Sequence, residues 1–224
     1  MERSATDQPF YLILAMLYLT AAMTTLVTAY KLVDIYNITE SSGIFIFPLT
    51  YLIGDIIAEV YGYHKARRIV WLVLFCEFLF AGALWIIAQT PAPVGWPYQQ
   101  AFKTVLQPVF RFYLANSLGI LVGSLVNIYL MAKWKVMMKG RSFWLRSIGS
   151  SAVGEAVTSM IADTLAFTGM MPFGDVGKLM LAIYAVKLFY AVVLALPGAL
   201  ICHYIKTKES NSALDINRLY VTLT

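Results

Sequence analysis

The stretch FPLTYLIGDIIAEVYGYHKARR, Phe47–Arg68, decides how the rest of the chain is read. It is an apolar run, yet it carries Pro48, Gly54, Asp55 and Glu59 before ending in the cationic group His64, Lys65, Arg67 and Arg68. An interval of four places Asp55 and Glu59 one above the other on a single helical face. Two carboxylates on an apolar helix need partners, because a bare charge in a low-dielectric medium is costly. Pro48 lacks a backbone N–H and suits the first turn of a helix. A regular helix from Pro48 to Tyr61 covers only about 20 Å at about 1.5 Å per residue. That falls short of the roughly 30 Å hydrocarbon core of a bilayer. The second span is therefore expected to be discontinuous at Pro48, with the preceding GIFIF entering the membrane in less regular form. Such backbone persists at membrane depth only where protein or a water-filled cavity covers it. Broken helices of this kind build binding sites in transporters.

The whole chain of 224 residues is 60% hydrophobic and only 13% charged, with mean hydropathy +0.71. A soluble domain carries about a quarter charged residues. The composition specifies an all-α integral membrane protein, a single domain over 1–224 with six transmembrane helices. Apolar blocks near 10–31, 44–61, 69–90, 110–132, 145–169 and 178–205 supply the spans. The net charge of +5 does not indicate nucleic acid, because the basic residues lie between apolar blocks. Lys133, Lys135, Lys139 and Arg141 join the cluster after span two on one side, as do Lys206, Lys208 and Arg218. The other side holds Lys31, Lys103 and Lys178, with Arg111 at an edge. The positive-inside rule then places both termini in the cytoplasm of a cell inner membrane. The opening MERSATDQPF leads into a long apolar run, read as a retained first span rather than a signal peptide. Between spans three and four, Pro91, Pro93, Pro97 and Pro108 punctuate a loop in which Ala101, Phe102, Val105 and Leu106 fit a short surface helix.

Ionisable residues inside spans mark functional sites by default. Besides Asp55 and Glu59 they are Glu77, Glu155, Asp163 and Lys187. Glu155, Ser159 and Asp163 recur at intervals of four and share one stripe of span five. Lys187, the one cation well inside, either neutralises Glu155 or Asp163 or contacts a substrate. One lysine cannot neutralise five carboxylates, so other acids must be protonated, wet or matched by a ligand that donates hydrogen bonds. Glu77 is left open between a hydrogen bond to a neighbouring helix and a place on a cavity wall. Phe45, Phe47, Tyr51, Trp71 and Phe167 stand near the same segments and suit a flat heterocycle. The candidate substrate residues are Asp55, Glu59, Glu155, Asp163 and Lys187, with Phe47, Tyr51, Trp71 and Asn116. Gly119 and Gly123 form a small-xxx-small pair, for close helix packing or for docking a partner. No GxxxxGK[ST], HExxH or GxSxG motif is present, so neither catalysis, a metal nor a cofactor is expected.

Three features together carry a family resemblance: FPLTYLIGDIIAEVYGYHKARRIVW (Phe47–Trp71), SSAVGEAVTSMIADTLAF (Ser150–Phe167), and Lys187 followed by Pro197. The chain resembles the queuosine-precursor transporter family. The resemblance implies import of 7-deazaguanine bases, such as the nitrile preQ0, the aminomethyl preQ1 or queuine. It also implies a fold similar to the substrate-binding subunit of energy-coupling-factor importers. The partners so implied are a small deazaguanine and the lipid bilayer, with a homodimer or a separate energising module as further possibilities. The alternative function is a binding subunit for a vitamin-like or nucleobase-like ligand that needs that ATP-driven module. Ala58 stands where many members have a hydroxyl residue, and Asn127 where an acid is frequent. A deazaguanine offers an adjacent ring N–H and exocyclic amine, which one carboxylate accepts as a pair, and an aminomethyl group would add a cation for a second.

Overall fold

A computed structural model describes residues 9–29, 31–35, 38–167 and 173–209. Six α-helices carry the fold: α1 (Pro9–Thr28), α2 (Phe47–Tyr61), α3 (Tyr63–Gln89), α4 (Gln99–Met137), α5 (Phe143–Phe167) and α6 (Phe173–Glu209). Between α1 and α2 lies an antiparallel ribbon of β1 (Leu32–Ile35) and β2 (Ile38–Ser41), in register from Leu32 opposite Ser41 to Ile35 opposite Ile38. The ribbon was not foreseen from the sequence, which shows no apolar alternation there. A 3-10 turn, Ser42–Phe45, follows it and leads into α2, whose first turn holds Pro48.

Gly62 divides α2 from α3. Its φ of 91° and ψ of 169° are open to glycine and strained for other residues, so the chain turns there without a longer loop. The turn between α4 and α5 uses three consecutive or near-consecutive positive φ values, at Lys139, Gly140 and Ser142. Pro108 does not break α4, which runs unbroken for 39 residues through it. The short surface helix expected around Ala101–Leu106 is therefore the first part of α4. At about 1.5 Å per residue α4 reaches roughly 58 Å, well beyond a hydrocarbon core.

Among the described residues, five helical segments are long and apolar enough to cross a membrane: α1, α2 with its 3-10 turn, α3, and the parts of α4 and α6 at Asn116–Met137 and Tyr184–Lys208. α2 is the axis of the bundle. Its segment is 67% buried against 17% for that of α6, and α1, α3, α4, α5 and α6 all pack on it. This shielding lets a helix with two carboxylates sit among apolar neighbours. Large apolar side chains elsewhere point outward, among them Leu12, Met16, Phe75, Leu79, Ile86 and Leu200.

Among the described residues α5 offers no comparably apolar window, and its polar residues are turned inward. Arg146, Ser147, Ser150, Ser151, Glu155, Thr158 and Ser159 are all buried. It approaches α4 closely through small residues. A Cβ on Gly119 would lie 3.0 Å from the Ala162 Cβ, and one on Gly154 2.9 Å from the Asn127 Cβ. The glycine face of span four is thus occupied by α5 and is not a surface for another protein.

Candidate functional site

The face of α2 that carries Asp55 and Glu59 meets three different environments along its length. At the Tyr61 end, Glu59 is enclosed by cations from three helices. Arg146 Nη1 of α5 donates to its Oε2 at 2.7 Å, while Lys206 of α6 pairs with Oε1. Lys135 Nζ of α4 lies 3.7 Å from the same oxygen and donates to the Glu59 carbonyl at 2.5 Å. Arg146 is fully buried, its Nε bonded to the Arg141 carbonyl at 3.1 Å, and its Nη2 has no hydrogen-bond partner among the described residues. This cluster ties α2, α4, α5 and α6 together at one end.

One turn back along α2, Asp55 is fully buried and accepts three side-chain hydrogen bonds. Asn127 Nδ2 donates to Oδ1 at 2.8 Å; Ser147 and Ser151 hydroxyls donate to Oδ2 at 2.5 and 3.4 Å. An acid in place of Asn127 would set a second carboxylate against the first, so the amide suits this chain's Asp55.

Toward Pro48 the packing opens into two cavities on either side of α2. The one between α2, α5 and α6 holds about 260 Å³ of empty space, mouth included, and is bordered by Tyr51, Ser147, Ser151, Glu155 and Lys187. Lys187 Nζ is 3.3 Å from the Glu155 carboxylate, donates to Ser159 Oγ at 3.2 Å, and stands 5.2 Å from the centre of the Phe47 ring. Tyr51 shares a 2.7 Å hydrogen bond with Thr158. The pairing of Lys187 with Glu155 answers one of the alternatives left open by the sequence.

The larger cavity lies among α1, α2, α3 and α4, with about 520 Å³ of empty space including its mouth. Its wall is mostly apolar, with Tyr18, Phe47, Thr50, Glu77, Phe112 and Asn116 among the residues that face it. Asn116 Nδ2 is bonded to the Phe112 carbonyl one turn back, at 3.0 Å.

Of the residues singled out in the sequence, Phe47 and Asn116 border the larger cavity, and Tyr51, Glu155 and Lys187 the smaller. Asp55 lies beneath the smaller one, joined to it through Ser147 and Ser151. Glu59 borders neither and is held by protein cations instead. Trp71 is 49% exposed on the outside of α3 and borders neither cavity. The side chain of Asp163 lies outside the described residues. Sequence reading missed Arg146, Ser147 and Ser151. The serines were within reach, since 147, 151 and 155 extend the interval-of-four stripe already seen at Glu155 and Ser159.

A family model described as "Putative vitamin uptake transporter" matches residues 41–201. A protein of Bacillus subtilis (strain 168) named "Probable queuosine precursor transporter" is 25% identical over 174 residues, 75% of this chain and 74% of that protein. A protein of the same name from Haemophilus influenzae is 21% identical over 179 residues, 79% of this chain and 74% of its own. No solved structure gives a significant match. The matched region contains α2 whole, Glu77 and Asn116 of the larger cavity, the lining of the smaller one, and Lys135 and Arg146 of the Glu59 cluster. Since it covers well over half of the sequence, the chain belongs to this family of membrane transporters, in agreement with the resemblance carried by Phe47–Trp71 and Ser150–Phe167.

Proposed function

We propose that the protein imports queuosine precursors, 7-deazaguanine bases, across a cell inner membrane. In this reading α5 is the sixth span, because 25 residues reach roughly 37 Å at about 1.5 Å per residue and its polar side chains are internal. Loop charges orient the chain with both termini in the cytoplasm.

The observation that carries the proposal is the uneven interior of α2. Its Tyr61 end is sealed by Arg146, Lys135 and Lys206, whereas its Pro48 end borders two cavities with aromatic and carboxylate walls. Under the proposed orientation the hollow half faces outward and the sealed half faces the cytoplasm, as an importer awaiting substrate requires. Phe47 and Tyr51 supply ring faces, Asn116 an amide, and Glu155 with Lys187 a charged pair that an aminomethyl substituent can exchange with. Asp55 acts by holding Ser147 and Ser151 in place, and Glu59 by closing the inner side.

The test is uptake by the purified protein in liposomes, with preQ0, preQ1 and queuine compared with guanine and adenine. Saturable uptake of a deazaguanine by the protein alone supports import. Binding without uptake would instead identify a subunit that needs a separate energising module. Neither binding nor uptake of any deazaguanine would overturn the proposal.

A further inference from the structure

The acids of the described bundle differ in what holds them. Asp55 accepts three side-chain donors, Glu59 is ringed by three cations, and Glu155 pairs with Lys187. Glu77 is different. It is 6% exposed on α3, faces the larger cavity, and makes no hydrogen bond or ion pair with any described residue. Its carboxyl opens onto the cavity instead of being closed off by protein donors, so a ligand that enters that space meets an acceptor not engaged by a described residue.

The surroundings limit what that partner is. The wall is mostly apolar and carries the rings of Tyr18, Phe47 and Phe112, with Thr50 and Asn116 as further polar groups. No cation borders this cavity, so it has no charge to pair with an anionic ligand. A flat neutral ring with two adjacent N–H donors fits, because a carboxylate accepts two parallel donors in one plane.

We propose that Glu77 is the specificity-determining residue of the transporter, reading the ring N–H and exocyclic amine of the base within the cavity among α1–α4. The proposal rests on the deazaguanine reading above and assigns which acid makes the contact. Glu155 and Lys187, on the far side of α2, then serve later steps of transport.

Purified protein is titrated with 7-deazaguanine and with 7-deazahypoxanthine, which lacks the exocyclic amine. Wild type is expected to prefer the first by on the order of tenfold or more, since a site built around a donor rejects the ligand that lacks it. Glu77→Gln replaces one acceptor by a donor and is expected to bring that ratio close to one. Unchanged affinity and ratio in Glu77→Gln overturn the proposal. So does a ratio lost in Glu155→Gln and kept in Glu77→Gln, which would move the base edge to the smaller cavity. Loss of uptake by Glu77→Gln with binding selectivity intact would also overturn it, making the acid a coupling group. Failure of wild type to bind any deazaguanine is a different result and removes the functional reading itself.

A second measurement does not depend on a Glu77 variant folding. In a Cys76→Ala background, Ile120→Cys, on the wall of the same cavity, is alkylated with and without 7-deazaguanine. Occupancy of the cavity is expected to slow the reaction at least about tenfold at saturating ligand, as a buried ligand excludes the reagent. No protection at saturation would overturn the location.

Discussion

The two halves of α2 lie in opposite surroundings: the half over 54–61 holds both of its acids, and the half over 47–53 has none of its own but faces acids on other helices. Around Glu59 every carboxylate oxygen is matched by protein, and four helices are fastened through one side chain. Around Phe47 and Tyr51 the same helix borders empty space on both sides. An acid within a membrane bundle is therefore not by itself a ligand site. What separates a fastening from a site is whether neighbouring helices supply the donors.

The largest effect that tests this contrast is expected at the sealed end. Glu59→Ala leaves Arg146, Lys135 and Lys206 together with no counter-charge, and breaking a buried pair costs roughly 3–5 kcal/mol. Thermal unfolding in detergent should show a large loss of stability, and a melting temperature unchanged from wild type would refute the fastening role. Asp55→Ala comes next. It strands the donors of Asn127 and Ser147 in the interior, at about 1–3 kcal/mol for an unsatisfied group. Its stability loss should be smaller than that of Glu59→Ala, measured in the same detergent.

The hollow end should respond the other way. Asn116→Ala removes only a bond to its own helix, so its stability should change by about 1 kcal/mol or less. Deazaguanine uptake should fall markedly all the same. Equal losses of stability and uptake would erase the distinction between the halves. The smallest effect belongs to Trp71→Leu, an outward apolar exchange expected to stay within about 0.5 kcal/mol and to leave uptake intact. A strong transport defect there would return Trp71 to the site.

The sequence exposed α2 well, because Pro48, the interval between Asp55 and Glu59 and the closing cations are all local signals. The glycine pair of α4 and the stripe of α5 were also legible as faces, though not what covered them. The partners of Glu59 were not legible. Lys135, Arg146 and Lys206 lie 76, 87 and 147 positions away, and local periodicity says nothing about contacts at that separation. Lys135 and Lys206 were read as loop charges that set orientation; in the bundle they also balance a buried acid. Pro108 misled for a related reason. Proline disfavours a helix interior by local energetics, but α4 continues through it with packing from α3.

The long reach of the Glu59 cluster has a consequence during synthesis. α2 leaves the ribosome well before its counter-charges exist. At about 5–20 residues per second, the 147 positions to Lys206 take roughly 7–30 s to translate. For the first 87 of those positions Asp55 and Glu59 have neither α5 nor α6 to meet, and α6 is missing to the end; a charged helix centre is poorly tolerated by lipid. The nascent α2 must wait protonated, or sheltered by the insertion machinery, until the last helices arrive. Assembly is thus completed only when the last helices arrive, and a chain interrupted before Phe143 has Lys135 and Asn127 of α4 to meet these acids but none of the partners on α5 and α6.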